Sequence, residues 1–134
     1  MTYKFEKLEI WQIILEYLDL LYDIAQQLPE IEKFNLSSQL IRAGTSISLN
    51  IAEGSTGQSD PEQSRFLGMA VRSAIETVAC ITIIKRRSYD ISDEVIKKSE
   101  KKAELLIKKI QAMRKAINRR SGNVSESTVF YGSD

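Results

Sequence analysis

The alternation of apolar and polar residues along the chain predicts four helices. Apolar side chains recur at intervals of three and four residues, which is the period of an amphipathic α-helix and not of a strand. The four segments that show this period cover residues 7–28, 36–54, 60–87 and 92–119. Because the connections between them are short, consecutive helices should run antiparallel. The pattern therefore predicts an all-α fold, an up-down-up-down four-helix bundle over residues 1–120.

Residues that start or stop helices stand at the ends of these segments. Pro29 ends the first one, since a proline does not extend a helix. The candidate N-caps are Asn35 or Ser37 for the second segment, Asp60 with Pro61 behind it for the third, and Ser92 for the fourth. Residues 121–134 are mostly polar, and we expect them to form a flexible C-terminal tail in which Val129, Phe130 and Tyr131 are able to dock.

The second segment has two apolar faces when it is drawn as a helix. The expected core face consists of Leu36, Leu40, Ala43, Ile47 and Ile51. The opposite face consists of Ile41, Thr45, Leu49 and Ala52. A helix with two apolar faces is buried on both, whereas a monomeric four-helix bundle buries one, so the second face predicts an oligomer interface. The alternative is a less amphipathic helix that leaves some apolar surface in water.

Polar residues form a row between these two faces, which we call the polar seam. It consists of Arg42, Ser46, Asn50 and Glu53 on the second helix, with Ser73 and Glu76 on the third. One interpretation is a structural network that fixes the register of the helices or the choice of subunit, because buried polar groups are retained where their hydrogen bonds are satisfied. The other is a binding site for phosphate or a small polar ligand, with Arg42 as a bidentate donor.

The composition narrows the classes of function. The chain has 134 residues, of which 43% are hydrophobic, enough for one domain with a core. It has no histidine and a single cysteine, Cys80, so it lacks the commonest general base and the ligands of a tetrahedral zinc site. No phosphate-binding loop and no nucleophile paired with a base stands out in the sequence. We therefore predict a protein that is not an enzyme and holds no metal or cofactor.

The cysteine content and the first residues of the chain bear on its cellular compartment. One cysteine excludes an intrachain disulfide and suits a reducing compartment. The first residues, MTYKFEKLEIW, are charged and lack the apolar run of a signal peptide. On this interpretation of the sequence, no apolar stretch approaches the length of a membrane span. The expectation is a cytoplasmic protein that does not enter the membrane.

Charge is unevenly distributed, although the net charge is only +1. Residues 1–34 carry three Lys and seven acidic residues, a net of −4, and residues 92–120 carry ten Lys or Arg and four acidic residues, a net of +6. Five cations of the fourth helix share one narrow arc opposite its apolar side. This basic stripe consists of Lys97, Lys101, Lys108, Lys115 and Arg119, and it is flanked by Lys98, Lys102 and Lys109.

The basic stripe has three interpretations. Such a row binds the phosphate backbone of RNA or DNA without reading the bases. A solvated lysine face that maintains solubility has the same sequence signature. The third interpretation is that the basic fourth helix pairs with the acidic first helix of another subunit.

The stretch "QLIRAGTSISLNIAEGS", followed by "SRFLGMAVRSAIETV", resembles a bacterial protein family named for reading frames in intervening sequences of 23S ribosomal RNA genes. The resemblance covers about residues 5–119. The residues that carry it are Arg42, Ala43, Ser46, Ile47, Asn50, Ile51, Ala52, Glu53, Gly54, Phe66, Leu67, Ser73 and Glu76. The chain departs from the family pattern at Ser48, where many members have proline, at Arg72, where many have glycine, and in "RRSYDIS", which replaces a more apolar corner.

The resemblance implies a homopentamer of four-helix bundles. It also implies kinship with the accessory proteins that act beside reverse transcriptases in diversity-generating retroelements. The implied partners are other copies of the chain, RNA or DNA, and a reverse transcriptase, and no catalytic residue comes with the family. The expected function is an oligomeric scaffold or interaction protein. The alternative is a nucleic-acid-binding accessory protein that acts with a reverse transcriptase or ribosomal RNA through the basic stripe.

Overall fold

The computed structural model describes residues 1–56 and 59–120, and this part of the chain is a four-helix bundle without strands. The four helices are α1 (Glu9–Gln27), α2 (Leu36–Gly54), α3 (Asp60–Arg87) and α4 (Asp93–Arg120), and short 3-10 turns cover Lys4–Lys7 and Glu30–Glu32. The predicted all-α fold is confirmed, with helix ends within two residues of the predicted ones. The predicted tail, residues 121–134, lies outside the described residues.

The N-caps of α4 and α3 can be compared with the predicted ones. Ser92 precedes α4, and its Oγ accepts a hydrogen bond from the Val95 amide at 3.4 Å, as predicted. The prediction that Asp60 caps α3 was wrong. Ser59 is the N-cap, since it has extended backbone angles and its Oγ accepts from the Glu62 amide at 3.2 Å. Asp60 instead belongs to the first turn of α3.

The helices pack in chain order, and α4 closes the bundle against α1. Ion pairs between α1 and α4 give their relative direction. Lys102 Nζ lies 2.7 Å from Glu16 Oε1, and Lys109 Nζ lies 3.2 Å from Glu9 Oε1. The partner moves back seven residues along α1 as α4 advances by seven, so the two helices are antiparallel. This is the neighbour relation that short connections predict.

The core consists mainly of aliphatic side chains and also holds a buried polar pair. The five residues of the predicted core face of α2 are each at most 5% exposed. Tyr17 of α1 and Thr77 of α3 are also buried, and their hydroxyl oxygens lie 2.8 Å apart. Thr77 donates its own proton to the Ala74 carbonyl, so Tyr17 is the donor to Thr77. Burial raises the pKa of Tyr17 to about 12.

A carboxylate joins the two connections at one end of the bundle. Glu32, between α1 and α2, accepts a 2.6 Å hydrogen bond from the hydroxyl of Tyr89, which follows α3. It also accepts from Asn35 Nδ2 at 3.1 Å and from the Leu36 amide at 3.4 Å. These donors, Tyr89 first, lower the pKa of Glu32, because they favour the ionised form. Asn35 occupies the N-cap position of α2, but its Nδ2 donates to Glu32 and its Oδ1 accepts from the Gln39 side chain, so it does not cap the backbone of the described helix.

The length and hydropathy of α3 bear on the expectation that no apolar stretch approaches the length of a membrane span. Among the described residues it contains a window of mean hydropathy 1.6, which is long and apolar enough by composition to cross a membrane. The statement that no stretch approaches such a length was therefore wrong on this criterion. A core helix of a bundle meets the same criterion, and half of the window is buried inside this bundle.

Candidate interaction surfaces

The predicted interface residues of α2 form one outer face. Leu49 is 57% exposed and is the large apolar residue of α2 with the most contact with solvent. Ile41, Thr45 and Ala52 are half-buried beside it. The helix period brings these residues together opposite the core, as the sequence indicated.

Two residues of α1 extend this face. Leu15 and Tyr22 are exposed and lie two turns apart on α1. Between them lies Leu18, which packs towards Gly44 of α2, so they border the contact between the two helices. We call Leu15 and Tyr22, together with Ile41, Thr45, Leu49 and Ala52, the α1–α2 face.

A second exposed apolar surface lies on α3, and the sequence analysis missed it. Ile75 and Ile83 are 43 and 48% exposed on the outer side of α3, Met69 and Val78 lie at the two edges of that side, and Arg72 and Glu76 lie between them; we call this mixed apolar and charged side the α3 face. The high hydropathy of α3 was the available signal, because a helix that is apolar on most sides has more apolar surface than one core contact covers. Within the described residues, α4 exposes only one large apolar side chain, Leu105.

The charged residues near the α3 face and those near the α1–α2 face differ in sign. The exposed charged residues of α3 near its apolar face include three arginines and one glutamate, namely Arg65, Arg72, Arg86 and Glu76. The exposed charged residues of α1 near Leu15 and Tyr22 are acidic, namely Glu16, Asp19 and Asp23, of which Glu16 pairs with Lys102 of α4. On α2, Arg42 and Glu53 are exposed near Leu49. The α3 border is therefore mainly basic and the α1 border is acidic.

The structure brings three residues of the polar seam together. Ser46 of α2 and Ser73 of α3 lie 2.9 Å apart through their hydroxyl oxygens. Asn50 donates to the Ser46 carbonyl at 2.8 Å and to the Ser46 hydroxyl at 3.2 Å. These bonds lie in the contact between α2 and α3, where they satisfy one another.

The other three seam residues do not join this cluster. Arg42, Glu53 and Glu76 are exposed, and their side chains form no hydrogen bond or ion pair with any residue of 1–56 or 59–120. The proposed bidentate donor, Arg42, therefore stands apart from the serine and asparagine side chains.

The basic stripe lies on the outer side of α4. Its five cations are exposed, and none pairs with a carboxylate of the described residues. The flanking lysines are paired instead. Lys102 and Lys109 bridge to Glu16 and Glu9 of α1, and Lys98 lies 3.5 Å from Glu94 of its own helix. The acidic first helix thus neutralises part of the flank within one chain, and the basic stripe itself has no ion-pair partner among residues 1–56 and 59–120.

A furrow runs between α1 and α4 beside the basic stripe. Its larger depression has a volume of about 570 Å³, with Leu20 and Leu105 among its apolar lining. The same depression is lined by Glu16, Asp19 and Asp23 from α1 and by Lys98, Lys101 and Lys102 from α4. A smaller depression of about 250 Å³ follows towards the C-terminal end of α4, lined by Leu8, Glu9, Ile10, Lys109, Ala112 and Met113.

The described residues offer little for metal or thiol chemistry. No group of three or more His, Cys, Asp or Glu in residues 1–56 and 59–120 has a metal-binding arrangement. Cys80 is buried, and burial raises the pKa of its thiol, which keeps the sulfur protonated and unreactive.

Comparisons with known proteins agree with this architecture. The family model described as 23S rRNA-intervening sequence protein matches residues 6–112. The chain is also similar to a crystal structure of a protein of unknown function from the S23 ribosomal protein family of Bacteroides thetaiotaomicron. The TM-score is 0.72 at 26% sequence identity, over 79% of this chain and 98% of the other. No curated protein matches the sequence significantly.

Proposed function

This chain belongs to the 23S rRNA-intervening sequence protein family, and on that premise we propose that it is a non-enzymatic scaffold that assembles with copies of itself into a closed ring. The ring size that the family resemblance implies is five. The observation that carries the proposal is the presence of two separate exposed apolar surfaces, the α1–α2 face and the α3 face. Neither the family description nor the similar structure names a catalytic activity, which agrees with a scaffold.

The exposed apolar side chains support self-assembly. Monomeric soluble proteins rarely expose contiguous apolar patches, and such patches mark interaction sites. Leu49 lies on one face, and Ile75 and Ile83 lie on the other, each more than 40% exposed. Covering side chains of this size is worth roughly 25 cal/mol for each Å² of apolar surface removed from water.

The difference between the two faces supports a head-to-tail contact. A two-fold dimer pairs one patch with itself, whereas a contact between two different patches repeats from copy to copy and forms a ring when the rotation closes. The acidic border of α1 and the mainly basic border of α3 attract each other in such a contact and repel in a contact of like faces. We therefore propose that the α1–α2 face of one copy packs on the α3 face of the next.

A mixing experiment tests this arrangement. Leu49→Glu places a charge in the α1–α2 face, and Ile75→Glu does the same in the α3 face, so each variant alone should lose its large assembly. An equimolar mixture still holds one intact face of each kind and should form a one-to-one dimer. Light scattering after size exclusion measures the masses, with a 15.2 kDa chain as the unit. Lys108→Glu on α4 is the matched control and should assemble as the wild type does.

Each outcome decides a separate part of the proposal. A wild-type chain that is monomeric at micromolar concentration contradicts self-assembly. An assembly that survives both substitutions places the interface elsewhere. Variants that are monomeric and remain so when mixed contradict the head-to-tail contact, while self-assembly stands.

A specific observation favours a second function, and we propose it as the alternative: a cytoplasmic accessory protein that binds nucleic acid beside a reverse transcriptase or ribosomal RNA. The basic stripe is exposed and forms no ion pair within the described part of the chain, whereas its flanking lysines bridge to carboxylates. Unpaired cations in a row suit phosphates, and binding should weaken steeply with salt because counterions are released.

Three glutamine substitutions test this alternative. Lys101, Lys108 and Lys115 changed together to Gln should keep the fold and the assembly, since exposed helical positions tolerate such changes. The affinity for a mixed-sequence RNA duplex, measured by fluorescence anisotropy at two salt concentrations, should fall, and its salt dependence should flatten. The control changes the paired Lys98, Lys102 and Lys109. An unchanged affinity in the first variant contradicts nucleic-acid binding by the basic stripe.

A further inference from the structure

The connection between α1 and α2 exposes apolar side chains and buries a carboxylate. Ile31 and Phe34, which we call the exposed pair, are 81% and 88% exposed, whereas Glu32 between them is 7% exposed. Within the described residues, no large apolar side chain of the four helices is as exposed as either member of this pair. A turn normally has the opposite arrangement, because a charge loses its hydration when it is buried. The inverted polarity indicates a surface that a partner covers.

Hydrogen bonds hold the exposed pair in place. The carboxylate of Glu32 accepts a 2.6 Å hydrogen bond from the Tyr89 hydroxyl, which fixes the turn to the connection between α3 and α4. The Glu32 amide donates to the Pro29 carbonyl at 2.9 Å, so the backbone of the turn is closed as well. Lys33 Nζ lies 5.5 Å from the centroid of the Phe34 ring, which places a cation on one side of the ring. A preorganised pair loses little conformational entropy when a partner covers it.

The exposed pair lies at one end of the α1–α2 face. Leu18 packs towards Gly44, and this contact sets the register of the antiparallel α1 and α2. One turn closer to the connection, Tyr22 of α1 therefore lies at the level of Ile41 of α2, and both residues belong to the α1–α2 face. The exposed pair follows them in the connection, so it extends this face to the end of the bundle.

The size of the exposed pair favours such an extension over a separate contact between two pairs. An aromatic side chain buries roughly 150–250 Å², and isoleucine is no larger than phenylalanine. Two pairs packed on each other therefore bury at most about 1,000 Å², whereas a stable interface between proteins buries about 1,200–2,000 Å². As part of the larger α1–α2 face, the pair needs no such area of its own. The occupant that fits is therefore the copy of this chain that covers the α1–α2 face.

The complementary surface lies at the C-terminal end of α3. This end is beside the exposed pair, because the hydrogen bond between the two connections joins them. Ile83 of the α3 face is 48% exposed there, and the exposed Arg86 and Arg87 follow one turn later on the same side. No ion pair within residues 1–56 and 59–120 includes either arginine. Guanidinium groups stack on aromatic rings, and the exposed Glu30 beside the pair provides a carboxylate for them.

We propose that the exposed pair of each copy packs on the C-terminal end of α3 of the next copy, with Phe34 between Ile83 and Arg86. The contact rests on the ring proposed above and adds a direction to it. The α1–α2 face and the α3 face both run along helices, and two such faces are able to pack with their helices parallel or antiparallel. The exposed pair selects the parallel packing, because it brings the connection ends of neighbouring copies together. This is the arrangement that rotation about a ring axis produces.

A disulfide between two engineered cysteines tests this contact. Chains with Phe34→Cys and chains with Ile83→Cys are mixed and oxidised, and the bond forms only where the two Cα atoms lie within about 7 Å. We expect a linked product of twice 15.2 kDa in the mixture and none in either chain alone. The native Cys80 is 4% exposed and adds little background. Glu94→Cys, on α4 at the same end of the bundle, is the control that replaces Ile83→Cys and should give no product.

Removal of the aromatic ring tests the contact without cysteines. Phe34→Ser should raise the concentration at which half of the assembly dissociates at least roughly tenfold, because buried aromatic side chains carry much of the binding energy of an interface. The matched control is Leu105→Ser, which removes an exposed apolar side chain from α4 and should leave the assembly unchanged.

The outcomes separate the contact from the ring. An assembled mixture without linked product overturns the contact, and so does unchanged dissociation in Phe34→Ser. A product from Phe34→Cys alone shows that the pair meets its own copy in another chain, which also overturns the contact. In these three cases a wild-type mass several times 15.2 kDa leaves the ring standing. A monomeric wild-type chain overturns the ring and the contact together.

Discussion

The buried hydrogen bond between Tyr17 and Thr77 predicts which of two substitutions lowers the free energy of unfolding more. Thr77→Val removes the acceptor that the described residues provide for the Tyr17 proton and leaves a buried donor unsatisfied. Such a donor costs about 1–3 kcal/mol, because it loses water without gaining a partner. Tyr17→Phe removes the donor instead, while Thr77 keeps its own bond to the Ala74 carbonyl. Its cost should be nearer to the net value of one hydrogen bond, about 1 kcal/mol.

The double variant separates this reasoning from a simple loss of packing. With both hydroxyls removed no buried donor remains, so Tyr17→Phe should restore part of the stability that Thr77→Val loses. Urea unfolding followed by far-UV circular dichroism measures all four chains, at one protein concentration because assembly shifts apparent stability. The exposed Tyr22→Phe is the control and should be nearly neutral.

Two results would refute this account of the pair. In the first, Tyr17→Phe costs more than Thr77→Val. In the second, the two losses simply add in the double variant, which indicates that the hydroxyls do not interact. The pH dependence provides a further check, because burial raises the pKa of Tyr17 from 10.0 to about 12. The folded chain holds this proton longer than the unfolded chain, so its contribution to stability is complete below pH 10 and is lost as the pH rises towards 12.

Three further predictions concern stability, which urea unfolding measures. Gly44→Ala should destabilise by about 1–3 kcal/mol through overpacking, because its Cβ would lie 2.6 Å from Leu21 Cδ1; an equal or higher midpoint contradicts the close approach of α1 and α2. Glu32→Gln should flatten the loss of stability on acidification below about pH 4.5, because the pKa of Glu32 is lowered in the fold and its stabilisation disappears as that carboxylate is protonated. Asn50→Leu should destabilise by about 1 kcal/mol, and the exposed Glu53→Leu should not, if the polar seam is structural.

The helices were predictable because their signals are local. Helical periodicity and Pro29 placed the ends of α1 and α2 within two residues. The start of α3 was assigned to the wrong cap because Ser59 and Asp60 are adjacent and both residue types favour the position. Backbone angles decide between them, and a sequence does not contain these angles.

Contacts between distant residues were not predictable in the same way. The bond between Glu32 and Tyr89 joins two connections 57 residues apart, and no periodicity marks either residue. The α3 face was missed for a related reason. The apolar pattern of a helix indicates how much apolar surface the helix has, but not how much of that surface the neighbouring helices cover. The basic stripe was placed correctly on the outside, because its positions are opposite Leu106 and Ile110, which are fully buried.

The two proposed functions make one joint prediction about Leu49. The basic stripe lies on α4, away from both apolar faces, so Leu49→Glu leaves its five cations unchanged. A ring presents several copies of this stripe to one duplex, and linked weak contacts bind far more tightly than one because each later contact is intramolecular. A monomeric Leu49→Glu chain should therefore bind a long RNA duplex at least roughly tenfold more weakly than the wild type, yet bind a duplex too short for two stripes equally well. Equal affinity of both chains for the long duplex would show that assembly adds nothing to phosphate binding, and the scaffold would then have to serve a protein partner.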